Sequence, residues 1–133
     1  LGTNGLPAGH VQVGRKAILS GGCALHHFAT VGEYAFIGGL SRIVHDVPPY
    51  MIVEGNPSEV RSVNLVGLRR AEFTNAVIEQ LREAYRTIFR GGKIRRDALD
   101  EMDHRADLYE ETRRLLEFLH AVDRGKHGRQ RQP

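Results

Sequence analysis

Residues 31–50 read VGEYAFIGGLSRIVHDVPPY, with an aliphatic residue at Val31, Ile37 and Ile43 and two prolines at the close. Counting back in sixes from Ile37 carries the pattern to the first residue. Leu1, Pro7, Val13, Leu19, Leu25, Val31, Ile37 and Ile43 occupy that phase, and seven of the eight are aliphatic. The fifth place of each hexad holds Gly5, Val11, Ala17, Cys23, Ala29, Ala35, Ser41 and Val47, all small or modest in volume, and glycine follows the aliphatic position at Gly2, Gly14, Gly32 and Gly38. An α-helix needs apolar residues three and four apart and does not tolerate glycine this often in its interior. A hairpin sheet alternates with period two and turns at longer spacing. Period six fits a parallel β-helix, in which each hexad supplies one short strand and one corner. The aliphatic residue points into the coil, the small residue lets the corner close, and glycine accepts backbone angles that other residues resist. At three hexads per coil, residues 1–48 make about two and two-thirds turns. Because the repeat is already in phase at Leu1, further coils are expected upstream.

The hexad due at position 49 meets a proline. Pro48 and Pro49 lack amide donors, so they read as a stop signal for the ladder. Gly55-Asn56-Pro57 follows as a turn, with short extended segments at Met51–Glu54 and Glu59–Val63 on either side. From Phe73 the period becomes helical. Thr74 fits an N-cap, with Phe73 and Ile78 placed to form a hydrophobic staple. Ala76, Val77, Leu81, Ala84, Tyr85, Ile88 and Phe89 keep one apolar face, and Gly91-Gly92 ends the helix. A short helix is predicted over Asp97–His104 and a longer one over Ala106–Val122, with Leu108, Leu115, Leu116, Leu119 and Val122 inward. The chain therefore divides into coils and terminating loops over 1–63, a helical part over 64–124, and a basic tail without regular structure over 125–133.

Bulk properties narrow the class. A chain of 133 residues with 26% charged residues and no Trp is an ordinary globular protein. At that length it buries only about two-thirds of its unfolded surface, which favours association. The single cysteine, Cys23, cannot form an internal disulfide and fits a reducing cytoplasm. No apolar run approaches the roughly 18 residues of a membrane span. The ending GKHGRQRQP carries Lys126, Arg129 and Arg131 without an acid or an interleaved aromatic residue. That pattern argues against nucleic-acid binding and for an acidic protein partner.

The hexads resemble the left-handed parallel β-helix of the hexapeptide-repeat acyltransferases. With the segment HDVPPYMIVEGNPSEVRSVNLVGLRRAEF and the later EAYRTIFRGGK, residues 1 to about 124 resemble the UDP-N-acetylglucosamine acyltransferases. The GNP triplet alone is common among such acyltransferases. DVPPY, VNLVGLRR and the helical tail together are specific. The resemblance implies transfer of a (3-hydroxy)fatty acyl chain from acyl carrier protein to the 3-position of UDP-N-acetylglucosamine, the first step of lipid A synthesis. It further implies a cytoplasmic homotrimer with active sites between neighbouring β-helices, no cofactor and no metal.

Transfer of an acyl group to a hydroxyl needs a general base, donors for the developing oxyanion, and groups that hold both substrates. By the resemblance, PAGH at 7–10 gives His10 to the sugar and the Gly9 amide to the oxyanion, and ALHHF gives His26 as a second active-site histidine with His27 beside it. Asn64 and Arg70 in VNLVGLRR match residues that contact the UDP moiety, and an arginine binds a diphosphate through paired charge-assisted hydrogen bonds. Gly39 matches the position whose side-chain size limits acyl length. Three departures touch these contacts: His27 stands where the family usually has Gln, Val66 where it has Glu, and Ala71 where it has Arg. They bear on the sugar headgroup, for example a 3-amino in place of a 3-hydroxyl. The family's base histidine falls one coil before PAGH, ahead of Leu1, so the isolated chain is expected to turn over little or not at all. Two rival readings follow from the same residues. His10, His26, His27 and His45 invite comparison with the zinc-binding γ-class carbonic anhydrases of similar fold, without that family's ligand spacing. A truncated or inactive paralogue would be a trimeric binding protein that associates without turnover.

Overall fold

The computed structural model describes residues 11–26 and 29–125. Six two-residue strands open the chain: β1 (Gln12–Val13), β2 (Ile18–Leu19), β3 (Ala24–Leu25), β4 (Thr30–Val31), β5 (Phe36–Ile37) and β6 (Arg42–Ile43). They pair parallel as β1–β4, β2–β5 and β3–β6, each residue meeting the one 18 positions on, as in Gln12 with Thr30 and Ile18 with Phe36. Three hexads therefore make one turn. The hexad pattern is the cause. Leu19, Leu25, Val31, Ile37 and Ile43 are buried in the coil, and so are the fifth-place residues Ala17, Cys23, Ala29, Ala35 and Ser41, whereas Val47, also buried, stands over Val31 in the aliphatic place rather than the fifth.

Two details differ from the sequence expectation. The residues that take left-handed backbone angles are Lys16, Gly22, Tyr34 and Leu40, with φ of 59°, 76°, 57° and 61°, one position before the small residue of each hexad. Gly14, Gly32 and Gly38 instead serve close approach. A Cβ on Gly14 would stand 2.5 Å from the amide nitrogen of Glu33 in the next coil, and one on Gly32 would stand 2.3 Å from that of Pro49.

The second difference concerns the prolines, which occupy a corner rather than a stop. Val47 bridges Val31, and β7 (Met51–Gly55) pairs parallel with β5 through Phe36–Ile52 and Ile37–Val53, so the register drops from 18 to 16 residues. The missing two residues are lost between Ile43 and Val47, after which Tyr50 takes the left-handed corner place at φ 68°. Pro48 and Pro49 fit there because the ladder bonds at this corner use Gly32 N to Val47 O (2.8 Å) and Tyr50 N to Glu33 O (2.9 Å), and neither bond needs a proline donor. The coil ends one strand later. The chain reverses at Gly55–Pro57, and β8 (Ser58–Val63) runs back antiparallel along β7.

The helical part follows. It comprises α1 (Leu65–Arg70), α2 (Asn75–Tyr85) running on into a π-helical turn at Arg86–Arg90, α3 (Arg95–Asp103) and α4 (Glu110–Asp123). Thr74 caps α2 by accepting from Val77 N at 3.2 Å, and the wide turn closes at Gly91, with Gly92 at φ +78° beyond it. The core of this part joins Leu81, Ala84, Leu99, Met102, Leu115 and Leu119 to Tyr50, Met51 and Val63 of the last strands. Ala76 faces solvent, contrary to its place in the predicted stripe, and Gln80 is buried in the α2 core. Gln80 is satisfied by donating to Asp107 O (2.9 Å) and accepting from Tyr109 N (2.8 Å), which fixes the entry to α4.

The same junction carries a pH dependence. Arg105 donates to Asp107 and Glu83, and its guanidinium holds the Asp107 carboxyl below the ordinary carboxylate range. A depressed folded-state pKa stabilises above the unfolded value of about 3.9, and that contribution is lost as pH falls through the folded value. The Asp107 contribution to thermal stability should therefore be constant from pH 7 to 5 and be lost below about pH 4. Asp107→Asn should flatten the acid limb relative to the parent protein. Among the described residues, no helix is long and apolar enough to cross a membrane.

Candidate active site

Gly9, His10 and His27 lie outside the described residues. His26 follows β3 at the corner that leads to β4. Its N–H donates to Ile43 O at 2.7 Å, its carbonyl accepts from Ala29 N at 3.0 Å, and its side chain is half-buried. Gly39 sits at the corner between β5 and β6, exposed, stacked on the preceding coil so that a Cβ would stand 3.2 Å from Gly21 O. Next to it Leu40 is 81% exposed and leans over Gly22.

Asn64 lies between β8 and α1, 6% exposed. Its Oδ1 accepts from Gly67 N at 3.2 Å and so caps α1, while its Nδ2 donates to Tyr34 O at 3.0 Å. Both ends of the amide are thus engaged within the chain, and they tie the helical part to the corner between β4 and β5. Asn64→Ala removes a cap and leaves the Tyr34 carbonyl without its donor, an expected loss of about 2 kcal/mol. Chemical unfolding measures it, and an unchanged midpoint would contradict the role. Arg70 stands in the last turn of α1, exposed, with no carboxylate within ion-pair distance among the described residues. A helical period that begins only at Phe73 leaves Arg70 ahead of the first helix the sequence predicts. The helix it belongs to went unforeseen because Gly67 interrupts the pattern, although Asn64 six residues before Arg70 is itself a start signal. Val66 and Ala71, two of the departures, are exposed on or beside the same helix.

Among the described residues, a single copy of the chain keeps His26, Gly39 and the helix that carries Asn64 and Arg70 apart. His26, Gly39 and Asn64 mark three different corners of a three-sided coil, and one side of six residues spans roughly 15–20 Å. Among the described residues, no group of three His, Cys, Asp or Glu side chains converges to hold a metal ion.

A parallel coil of hexads, closed by an antiparallel hairpin and followed by a helical part, defines the class as a hexapeptide-coil protein with a C-terminal helical extension. The profile of UDP N-acetylglucosamine O-acyltransferase domain 2 matches residues 46–127, and the chain belongs to that family. It is 44% identical over 114 residues to an acyl-[acyl-carrier-protein]–UDP-N-acetylglucosamine O-acyltransferase of Rhizobium rhizogenes, covering 85% of this chain and 42% of that one. A protein of the same description from Gloeothece citriformis is 40% identical over 113 residues, covering 85% and 41%. Among solved structures, the UDP-N-acetylglucosamine O-acyltransferase of Moraxella catarrhalis superposes with a TM-score of 0.83 at 34% identity over 94% of this chain and 48% of that one. The Arabidopsis acyltransferase does so at 0.81 and 38% identity, over 86% and 42%. The chain thus spans less than half the length of these relatives.

Proposed function

We propose that this chain forms part of an acyltransferase that moves a (3-hydroxy)fatty acyl group from acyl carrier protein to the 3-hydroxyl of UDP-N-acetylglucosamine, the first step of lipid A synthesis. The thioester carbon is attacked by the sugar oxygen, a base takes the hydroxyl proton, and the carrier thiol leaves with a proton. His10 contacts the sugar, the Gly9 amide donates to the oxyanion, His26 and His27 line the acceptor site, and Arg70 anchors the diphosphate, with Asn64 holding its helix in place. Gly39 leaves room for the end of the acyl chain. The coil is left-handed, the chain divides at residues 63 and 124, and the enzyme works in the cytoplasm.

The observation that carries the arrangement is the dispersal of His26, Gly39 and Asn64 to three corners. Residues that cannot meet within one chain can meet between copies, which supports a homotrimer with shared sites. The outward face of the longest sheet supports the same reading. Ile18, Phe36 and Ile52 stand in register on it, and Ile18 is 44% exposed. The sequence pI of about 9.4 suits an acidic carrier protein.

The test is product analysis with the protein as its gene encodes it, given 3-hydroxyacyl carrier protein and UDP-N-acetylglucosamine. Mass spectrometry and NMR should find one acyl group on the 3-oxygen, and Arg70→Ala should raise KM for the sugar nucleotide at least about tenfold. Preference for a 3-amino acceptor would place the effect of Val66 and Ala71 in headgroup choice. Association without turnover on either acceptor would refute the reaction and leave a binding protein.

A further inference from the structure

A cleft of about 510 Å3 opens where the last coil meets the helical part, away from His26, Gly39, Asn64 and Arg70. Val47, Val53, Val60, Phe89, Phe118 and Val122 supply its apolar surface. The volume lies within the roughly 300–1,000 Å3 of small-molecule sites. Charged groups stand at its rim, and two of the three acids among them are ion-paired with arginines while the third is held by a backbone amide. Asp123 pairs with Arg95 at 3.5 Å, Glu59 with Arg61 at 3.1 Å, and Asp46 accepts from Thr30 N at 2.8 Å.

Arg90 differs. Its Nε donates to Tyr85 Oη at 2.6 Å, a second nitrogen reaches Arg61 O at 3.5 Å, and its guanidinium lies 5.7 Å from the Tyr85 ring centre. It has no carboxylate partner among the described residues, so its charge is held in place and left over. The π-helical turn at Arg86–Arg90 adds a residue to the helix and places Phe89 and Arg90 on the same cleft.

We propose that this cleft binds a free single-chain carboxylate amphiphile, its alkyl chain on the apolar floor and its head on Arg90. The site is independent of the acyl-transfer reading, since none of His26, Gly39, Asn64 or Arg70 lines it.

The experiment is titration of the protein with decanoate below its micellar concentration, followed by amide NMR and calorimetry, with decanol as the uncharged control. One saturable site is expected, with shifts at Val47, Val60 and Phe118. Decanol should bind about tenfold more weakly than decanoate, and Arg90→Gln should weaken decanoate by a similar factor. Val122→Trp should fill the floor and abolish binding. Absence of saturation, or shifts confined to other residues, would overturn the site. Equal affinity for decanol and decanoate, unchanged in Arg90→Gln, would overturn the anionic head. Should Val122→Trp fail to fold, the shift map and Arg90→Gln still decide the outcome.

Discussion

Gly32→Ala is expected to destabilise the protein by about 3 kcal/mol, or about 10 °C in melting temperature. The added methyl would stand 2.3 Å from Pro49 N, 2.6 Å from its Cα and 2.6 Å from its Cδ, so it meets backbone and ring rather than the end of a flexible side chain. Pro49 cannot retreat easily. Its own ring fixes φ, and the next residue, Tyr50, is held in a left-handed corner by bonds to Glu33 through its amide and its hydroxyl. Gly92→Ala provides the contrast. Gly92 has φ +78° and open space around it, so the change costs only the backbone strain of about 1 kcal/mol. Equal effects at the two positions would mean that the coils do not stack as described at Gly32.

Glu33→Ala has the next largest expected effect, about 2–3 kcal/mol in urea unfolding. Tyr50 is fully buried, and its hydroxyl donates to Glu33 Oε1 at 2.8 Å. Burial, then the Glu33 bond and charge, push the phenol pKa up, so the neutral donor is the form present. Removing the carboxylate leaves that buried donor without its protein partner. The same carboxylate receives Arg114 of α4 at 3.4 Å and Arg15 of the preceding coil at 3.6 Å, so it joins coil, corner and last helix. Glu33→Gln keeps an acceptor and should cost about 1 kcal/mol. Combined with Tyr50→Phe, a double-mutant cycle should show coupling, and α4 amides should exchange faster in Glu33→Ala. Strict additivity of the two changes would rule out this contact.

The part of the fold that was legible in the sequence is the part that repeats. An inward side chain every six residues is a property of single positions, and Leu19, Leu25, Val31, Ile37 and Ile43 state it without reference to anything distant. The helical stripes of α2 and α4 and the Thr74 cap were readable for the same reason. What was not readable depends on pairs. Gly14 and Gly32 are small because of Glu33 and Pro49 one coil away, and a single sequence does not distinguish that need from a need for unusual backbone angles. The contraction between Ile43 and Val47 hid the last strand pairing, because the hexad count continued through a place where two residues are missing. Gln80 within an apolar stripe reads as an interruption until Asp107 and Tyr109 are seen beside it. The Glu33–Arg114 pair joins residues 81 apart in the chain and leaves no local signal. For the candidate site, the family motifs name the residues that the proposal uses. Their separation onto three corners was not readable, because it follows from the turn of the coil.

That separation gives the most direct test of a site shared between copies. His26→Ala and Arg70→Ala forms of the protein as its gene encodes it, each strongly impaired alone at sugar-nucleotide concentrations below the parent KM, should be co-expressed with different tags, and the mixed assemblies assayed for acylation of UDP-N-acetylglucosamine at that concentration. If each site takes His26 from one copy and Arg70 from its neighbour, random mixing restores about one site in four, and activity returns towards a quarter of the parent level. If both residues serve a site within one copy, no mixed assembly contains an intact site. Activity fixed at the level of the single variants, in assemblies shown to be mixed, would contradict the shared site.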